Sequence, residues 1–175
     1  MKRFFLSAMT GSLVLLAACN NESSTSKETT TKDSITAPGT TTADMPASSS
    51  NAMNKTGITL SASNEVPVNK STASGTADVK YDKDSHMLTY TVNWSGLTDK
   101  PTMAHIHGTA PKGVNAGVKK DLTRVLVKET KGSFTDSVKV DGNMIKEDSL
   151  LSGFYYINIH TPKNPGGEIR GQIVF

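Results

Sequence analysis

Between Gly57 and Phe175 apolar side chains return at every second residue in short runs, and turn-forming residues end each run before a helical period can develop. The clearest run is Leu88, Tyr90, Val92 and Trp94, alternating with Thr89, Thr91 and Asn93. A strand sends successive side chains to opposite faces, so this spacing describes one buried and one polar face. Ile58, Leu60 and Ala62 repeat the pattern, as do Ala73, Gly75, Ala77 and Val79 leading to Tyr81. Further strands are expected at 102–108, 122–129, 133–140, 154–161 and 168–175, and residues 144–151 are expected to form a helical turn or two. Seven to eight short antiparallel strands in about 120 residues predict an all-β fold, a Greek-key β-sandwich or flattened barrel.

The first 55 residues have a different character. Two positive charges in Met1-Lys2-Arg3 precede an apolar run over 4–16, too short for the ~20 residues of a spanning helix. Residues 1–18 therefore read as a secretory signal. The signal ends in Leu16-Ala17-Ala18-Cys19, which resembles the lipobox of bacterial lipoproteins. That resemblance implies a diacylglyceryl group on Cys19, cleavage before it and acylation of the new amino terminus. The lipid bilayer is then a partner, and three acyl chains hold far more firmly than one. Cys19 is the only cysteine, so a lipidated chain has no thiol left for a disulfide. Asn20 follows it in place of the aspartate of an inner-membrane retention signal. The expected location is the bacterial cell envelope, with the outer membrane favoured in a two-membrane source.

From Asn20 to Thr56, 16 of 37 residues are Ser or Thr, and the few apolar ones show no period. Such a segment cannot offset its ordering entropy, so 19–55 reads as a lipidated cysteine and a disordered tether to a domain at 56–175. The chain carries a formal charge of +3, and from Thr56 onward 14 Lys and Arg face 12 Asp and Glu. That balance is too small and too scattered for a nucleic-acid surface. The length after the tether supports one core.

Three of the four histidines lie in strand-like runs of similar design. In Met103-Ala104-His105-Ile106-His107, His105 and His107 share one face and Ile106 the other. In Tyr155-Tyr156-Ile157-Asn158-Ile159-His160, the isoleucines share the core face and His160 lies with Asn158 and Tyr156 on the opposite, outer face. If the two strands are neighbours, three imidazoles meet there. Neutral imidazoles suit copper or zinc better than magnesium or calcium. The competing reading is polar surface, with His160 bonded to a loop carbonyl. What separates the two is whether the imidazoles converge to within about 3–4 Å, as ~2.0–2.1 Å ligand bonds require. His86 follows a turn and reads as surface. No Asp or Glu is evident beside the trio.

In the closing segment Pro165-Gly166 suits the centre of a type II turn, with Ile169, Ile173 and Phe175 facing the core and Glu168, Arg170 and Gln172 facing out. Arg170 either approaches an anion beside the histidines or pairs with a carboxylate or carbonyl to fix the loop after His160. Asn158 and Arg170 are thus candidates to support the metal ligands. Met103 is either packing or a soft extra ligand for copper.

Four blocks in order resemble the CHRD domain, named from repeats in chordin and found in microbial exported proteins. They are Glu65-Val66-Pro67-Val68 with Ala73-Ser74-Gly75, Ala104 to Gly108 with Ala110 and Gly113, Tyr156 to Thr161, and Asn164 to Gln172. The family's usual double proline after Glu-Val is single here. The resemblance implies an antiparallel β-sandwich and names no activity. A weaker resemblance links His105, His107, His160 and Arg170 to copper/zinc superoxide dismutase. That enzyme's bridging histidine, zinc-site aspartate and disulfide have no counterparts here. The leading expectation is a membrane-anchored, non-catalytic binding module with a three-histidine copper or zinc site and an envelope or extracellular protein or polysaccharide as partner. The alternatives are a copper-dependent redox enzyme and a purely structural adhesion domain. No nucleophile set, phosphate loop or acid/base carboxylate pair is present in the sequence pattern.

Overall fold

The computed structural model describes residues 51–175; the expected signal, Cys19 and most of the tether lie outside the described residues. The strands are β1 (Ala52–Ser61), β2 (Ser74–Asp82), β3 (Met87–Ser95), β4 (Met103–Gly108), β5 (Val118–Asp121), β6 (Gly132–Lys139), β7 (Tyr155–Thr161) and β8 (Asn164–Ile173). The one short helix among the described residues, α1 (Glu147–Leu151), falls inside the segment expected to be helical. The strands form one antiparallel sheet in the order β5-β4-β7-β8-β1-β2-β3-β6. The chain leaves β3 for β4, returns from β5 to β6, and leaves again from β6 to β7. These crossings between the two halves roll the sheet into a flattened barrel around one core.

Alternation accounts for that core. Leu60, Tyr81, Leu88, Tyr90, Val92, Ile106, Ile157, Ile159, Ile169 and Ile173 point inward and are fully buried. Leu122, Ile145 and Leu150 complete it from the connections. Each large side chain contributes roughly 1.5–3 kcal/mol by leaving water. Trp94 packs on Phe134 with ring centroids 5.8 Å apart and donates its indole N–H to the Glu129 carbonyl at 3.0 Å.

Four expectations are corrected. The strand expected at 122–129 lies earlier, at Val118–Asp121, and the chain turns immediately after it. Asp121 Oδ1 accepts the Thr123 N–H at 2.7 Å and Leu122 O accepts the Val125 N–H at 3.1 Å, which ends the strand. Leu122 and Leu126 enter the core from this turn. The turn expected at Pro165-Gly166 lies instead at Pro162 and Lys163, between the paired residues Thr161 and Asn164, so Pro165 and Gly166 belong to β8. β1 starts at Ala52, within the segment read as tether, because its first residues pair with Asp82 to Val79 of β2 without any apolar alternation.

The fourth correction bears on function. The face expected to be outer on β7 and β8 is covered: Tyr156, Asn158, His160, Glu168, Arg170 and Gln172 are all buried. Two connections roof it. The β1–β2 connection is tied down by Asn69, whose Nδ2 donates to the Gly167 and Glu168 carbonyls at 3.1 and 3.0 Å. The β4–β5 connection is held by Arg170 and by Gln172, whose Nε2 donates to Ala110 O at 3.2 Å. Asn115 Nδ2 joins the two roofs by donating to Val66 O at 2.8 Å. Among the described residues no helix is long and apolar enough to cross a membrane.

Candidate metal centre

Register builds the site as two rows across the sheet. Asp121, His105, Asn158, Arg170 and Ser61 are successive Cα partners on β5, β4, β7, β8 and β1. The adjacent row runs Val118, His107, Tyr156 and Gln172. His160 sits opposite Met103 on the far side of the first row, so His105 meets it diagonally.

The three imidazoles converge beneath the roof. One ring nitrogen from each of His105, His107 and His160 lies within 4.8 Å of the others. His105 Nδ1 and His160 Nε2 are 3.0 Å apart, already at the roughly 3–3.5 Å separation that two ligands of one zinc or copper ion adopt. The separations within the trio reach as much as 4.8 Å, so the His105–His160 pair meets the expected separation of about 3–4 Å and the full set including His107 is wider than that.

Each ring is oriented by its other nitrogen. His107 Nδ1 is 2.8 Å from Ala116 O, and its ring stacks on Tyr156 with centroids 4.8 Å apart and planes 4° from parallel. His160 Nδ1 is 2.9 Å from Pro165 O. His105 Nε2 lies 4.0 Å from Asp121 Oδ1. A carbonyl only accepts, so in His107 Nδ1 carries the proton and Nε2 the lone pair, whereas both nitrogens of His160 face an oxygen, Pro165 O and Asn158 Oδ1. His107 Nε2 is buried and makes no hydrogen bond of good geometry among the described residues, with the Asn158 side chain its nearest polar neighbour in effect on its charge. A buried polar atom without a partner costs free energy, so its presence points to a group that takes its lone pair.

Electrostatics keep the rings neutral. Burial pushes His160 down to about 4 and lowers His107. Burial and the neighbouring His107 lower His105, against a small opposing pull from Asp121. A neutral imidazole is the form that binds a metal ion. The donor set therefore fits copper or zinc, and three nitrogens leave a tetrahedral ion one open position.

The supporting residues differ from expectation in part. Asn158 Oδ1 lies 3.0 Å from His160 Nε2, in contact with the cluster as expected. Arg170 does find a carbonyl, but in the β4–β5 roof and not in the loop after His160. It donates to Val114 O at 2.9 Å, Asn115 Oδ1 at 3.2 Å and Gln172 Oε1 at 3.3 Å, with its guanidinium 3.4 Å from the Tyr156 ring centroid. Its exposure is 1%, so it braces the roof and offers nothing to an anion. Met103, 38% exposed, lies at the margin, and His86 is on the surface.

Two acidic residues beside the cluster were not evident in the sequence. Asp121 was masked because the expected strand began after it, which removed it from register with His105. Glu65 stands between the polar Ser63-Asn64 and the apolar Val66-Pro67-Val68, with no charged residue within four positions on either side. It is buried beside Asn158, and Oε1 has no partner. The only hint was a lone carboxylate followed by Val66-Pro67-Val68.

No curated protein and no solved structure matches the chain. The CHRD domain family matches residues 56–173, which takes in all three histidines, both roofs and seven complete strands. With that span of the sequence matched and the all-β sheet in place, this chain belongs to the CHRD domain family.

Proposed function

We propose that the protein is an exported, lipid-anchored binding module that holds one copper or zinc ion at His105, His107 and His160. The observation that carries this reading is the unpartnered His107 Nε2, buried beside two further imidazoles that burial keeps neutral. Cys19 anchors the chain in the envelope membrane by its acyl groups, and the Ser/Thr-rich tether sets the domain off the bilayer. Asn158 and Arg170 support the ligands, Asn158 by contact with His160 and Arg170 by bracing the roof above them. The module is non-catalytic, and an envelope or extracellular protein or polysaccharide is its partner.

The test titrates the full chain, purified without a histidine tag, with Zn²⁺ and Cu²⁺ while bound metal and Tm are followed. One equivalent should bind. At a hundredfold excess over Kd, ligation to the folded state alone contributes about 2.7 kcal/mol, a rise of several degrees. The His105→Ala/His107→Ala form should show neither effect. Absence of binding, or equal binding by both forms, would remove the metal and leave a domain that recognises only its macromolecular partner.

A further inference from the structure

A cleft of about 700 Å³ lies away from the histidines, on the outward face of β1, β2, β3 and β6. That volume falls within the ~300–1,000 Å³ of ligand-binding clefts. Thr59, Thr76, Asn93 and Ser133 are successive Cα partners across the four strands, and Ser74 faces Ser95 two residues further along. Strands about 4.8 Å apart therefore present one hydroxyl or amide each, in a row. All six side chains are exposed, and none makes a side-chain hydrogen bond among the described residues. The next row on the same face is already occupied with itself. There the Thr91 and Thr135 hydroxyls bond each other at 2.8 Å, and Asp78 Oδ1 accepts the Gly57 N–H at 2.7 Å. Between the two free rows the floor is Gly75, Trp94 and Gly132, cross-strand partners in one row of their own. A Cβ at Gly132 would fall 2.6 Å from Cζ2 of Trp94, so glycine there lets the indole back the cleft from the core.

We infer that this cleft binds a polysaccharide chain through the row Thr59, Thr76, Asn93 and Ser133. The inference rests on the polysaccharide half of the partner reading above and is independent of the metal ion. Each Ser, Thr and Asn side chain both donates and accepts, which is the bonding capacity of a sugar hydroxyl. Lys131 is the one charged residue of the lining, which holds no carboxylate or imidazole, so a metal ion finds no ligand set there. One cation is too few for a phosphate backbone, which nucleic-acid surfaces meet with several. A protein partner would need apolar anchors near the centre. The exposed large apolar side chains, Val68 and Phe154 among them, all lie outside the lining, and Trp94 is 3% exposed. A glycan chain instead repeats its hydroxyls at the interval of one sugar ring and lies along an open surface, which suits a row of small polar side chains. Lys131, at the β6 end of the row, adds a donor for a sugar oxygen.

The test applies the full chain to an array of immobilised hexose, N-acetylhexosamine and hexuronate oligosaccharides, then maps a bound oligosaccharide by ¹H–¹⁵N NMR. At least one oligosaccharide should bind. Amide shifts should change at Thr76, Asn93 and Ser133 and stay in place at His105, His107 and His160. Thr76→Val combined with Asn93→Ala should weaken binding about tenfold, the effect of two hydrogen bonds, with Tm unchanged because both positions are exposed. An array on which nothing binds would overturn the inference and remove polysaccharide from the partner reading, leaving a protein. Binding with shifts confined to the roof over the histidines, or an unchanged affinity in the double variant, would overturn the cleft and leave a polysaccharide partner standing. The shift map needs no variant, so a misfolded double variant does not weaken the test.

Discussion

Two glutamates under the roof, Glu65 at 3% and Glu168 at 0% exposure, meet opposite surroundings. Glu168 accepts hydrogen bonds from the Ser71 hydroxyl at 2.6 Å, the Thr98 N–H at 2.8 Å, the Thr98 hydroxyl at 2.9 Å and the Thr161 hydroxyl at 2.6 Å. Burial alone would raise its pKa, but these donors more than offset that and hold it below the usual value. Glu65 lacks such a shell. Burial pushes it from 4.5 up to about 7, against the weaker pull of Arg170. A folded-state pKa above the unfolded one means that the native protein binds the proton more tightly. Its contribution to stability is therefore full below about pH 4.5 and is lost as pH rises through about 7. A shift of this size corresponds to about 3 kcal/mol. Gln at this position keeps the shape and cannot ionise. In metal-free protein, denaturation midpoints across pH 4–8 should show Glu65→Gln gaining on the unmutated chain as pH rises. Parallel curves would rule out the raised pKa.

At the scale of elements, β7 is the strand that most departs from a half-buried pattern, since all seven of its residues are buried. Its alternation still identifies the faces, with Tyr155, Ile157 and Ile159 toward the core and Tyr156, Asn158 and His160 toward the roof. The roof depends on the Glu168 carboxylate, which ties the β1–β2 connection to the β7–β8 hairpin through Ser71 and Thr161. Glu168→Ala strands these buried donors and should cost about 3 kcal/mol or more in chemical denaturation, with metal binding lost alongside. A cost below 1 kcal/mol would show that the roof is held elsewhere. The edge strand β5 was the least legible element. Lys119 and Lys120 occupy it without apolar alternation, as edge strands often do to discourage further pairing. Leu122, Val125 and Val127 nearby imitate a strand that the Asp121–Thr123 turn forbids.

For the whole molecule, the proposed anchor at Cys19 and the domain are separable by mutation. Cys19→Ser should move the protein from the membrane to the soluble fraction and abolish palmitate labelling, while the Zn²⁺ affinity of the domain stays the same. Continued membrane association of the variant would exclude Cys19 as the anchor. Local chemistry was sufficient to read several features from sequence: the all-β class, which side chains share a face within each strand, and the pairing of His105 with His107 and of Asn158 with His160. These follow from the period of two and from short motifs, which act within a few residues. Only the tertiary structure decided that β4 lies beside β7, that Asp121 and Asn158 flank His105 in one row, and that two connections bury the face carrying them. A strand's period states which face a residue occupies and is silent about its neighbour across the ladder. Partners some fifty residues apart, such as His105 and Asn158, are selected by the packing of the whole core, to which every strand contributes.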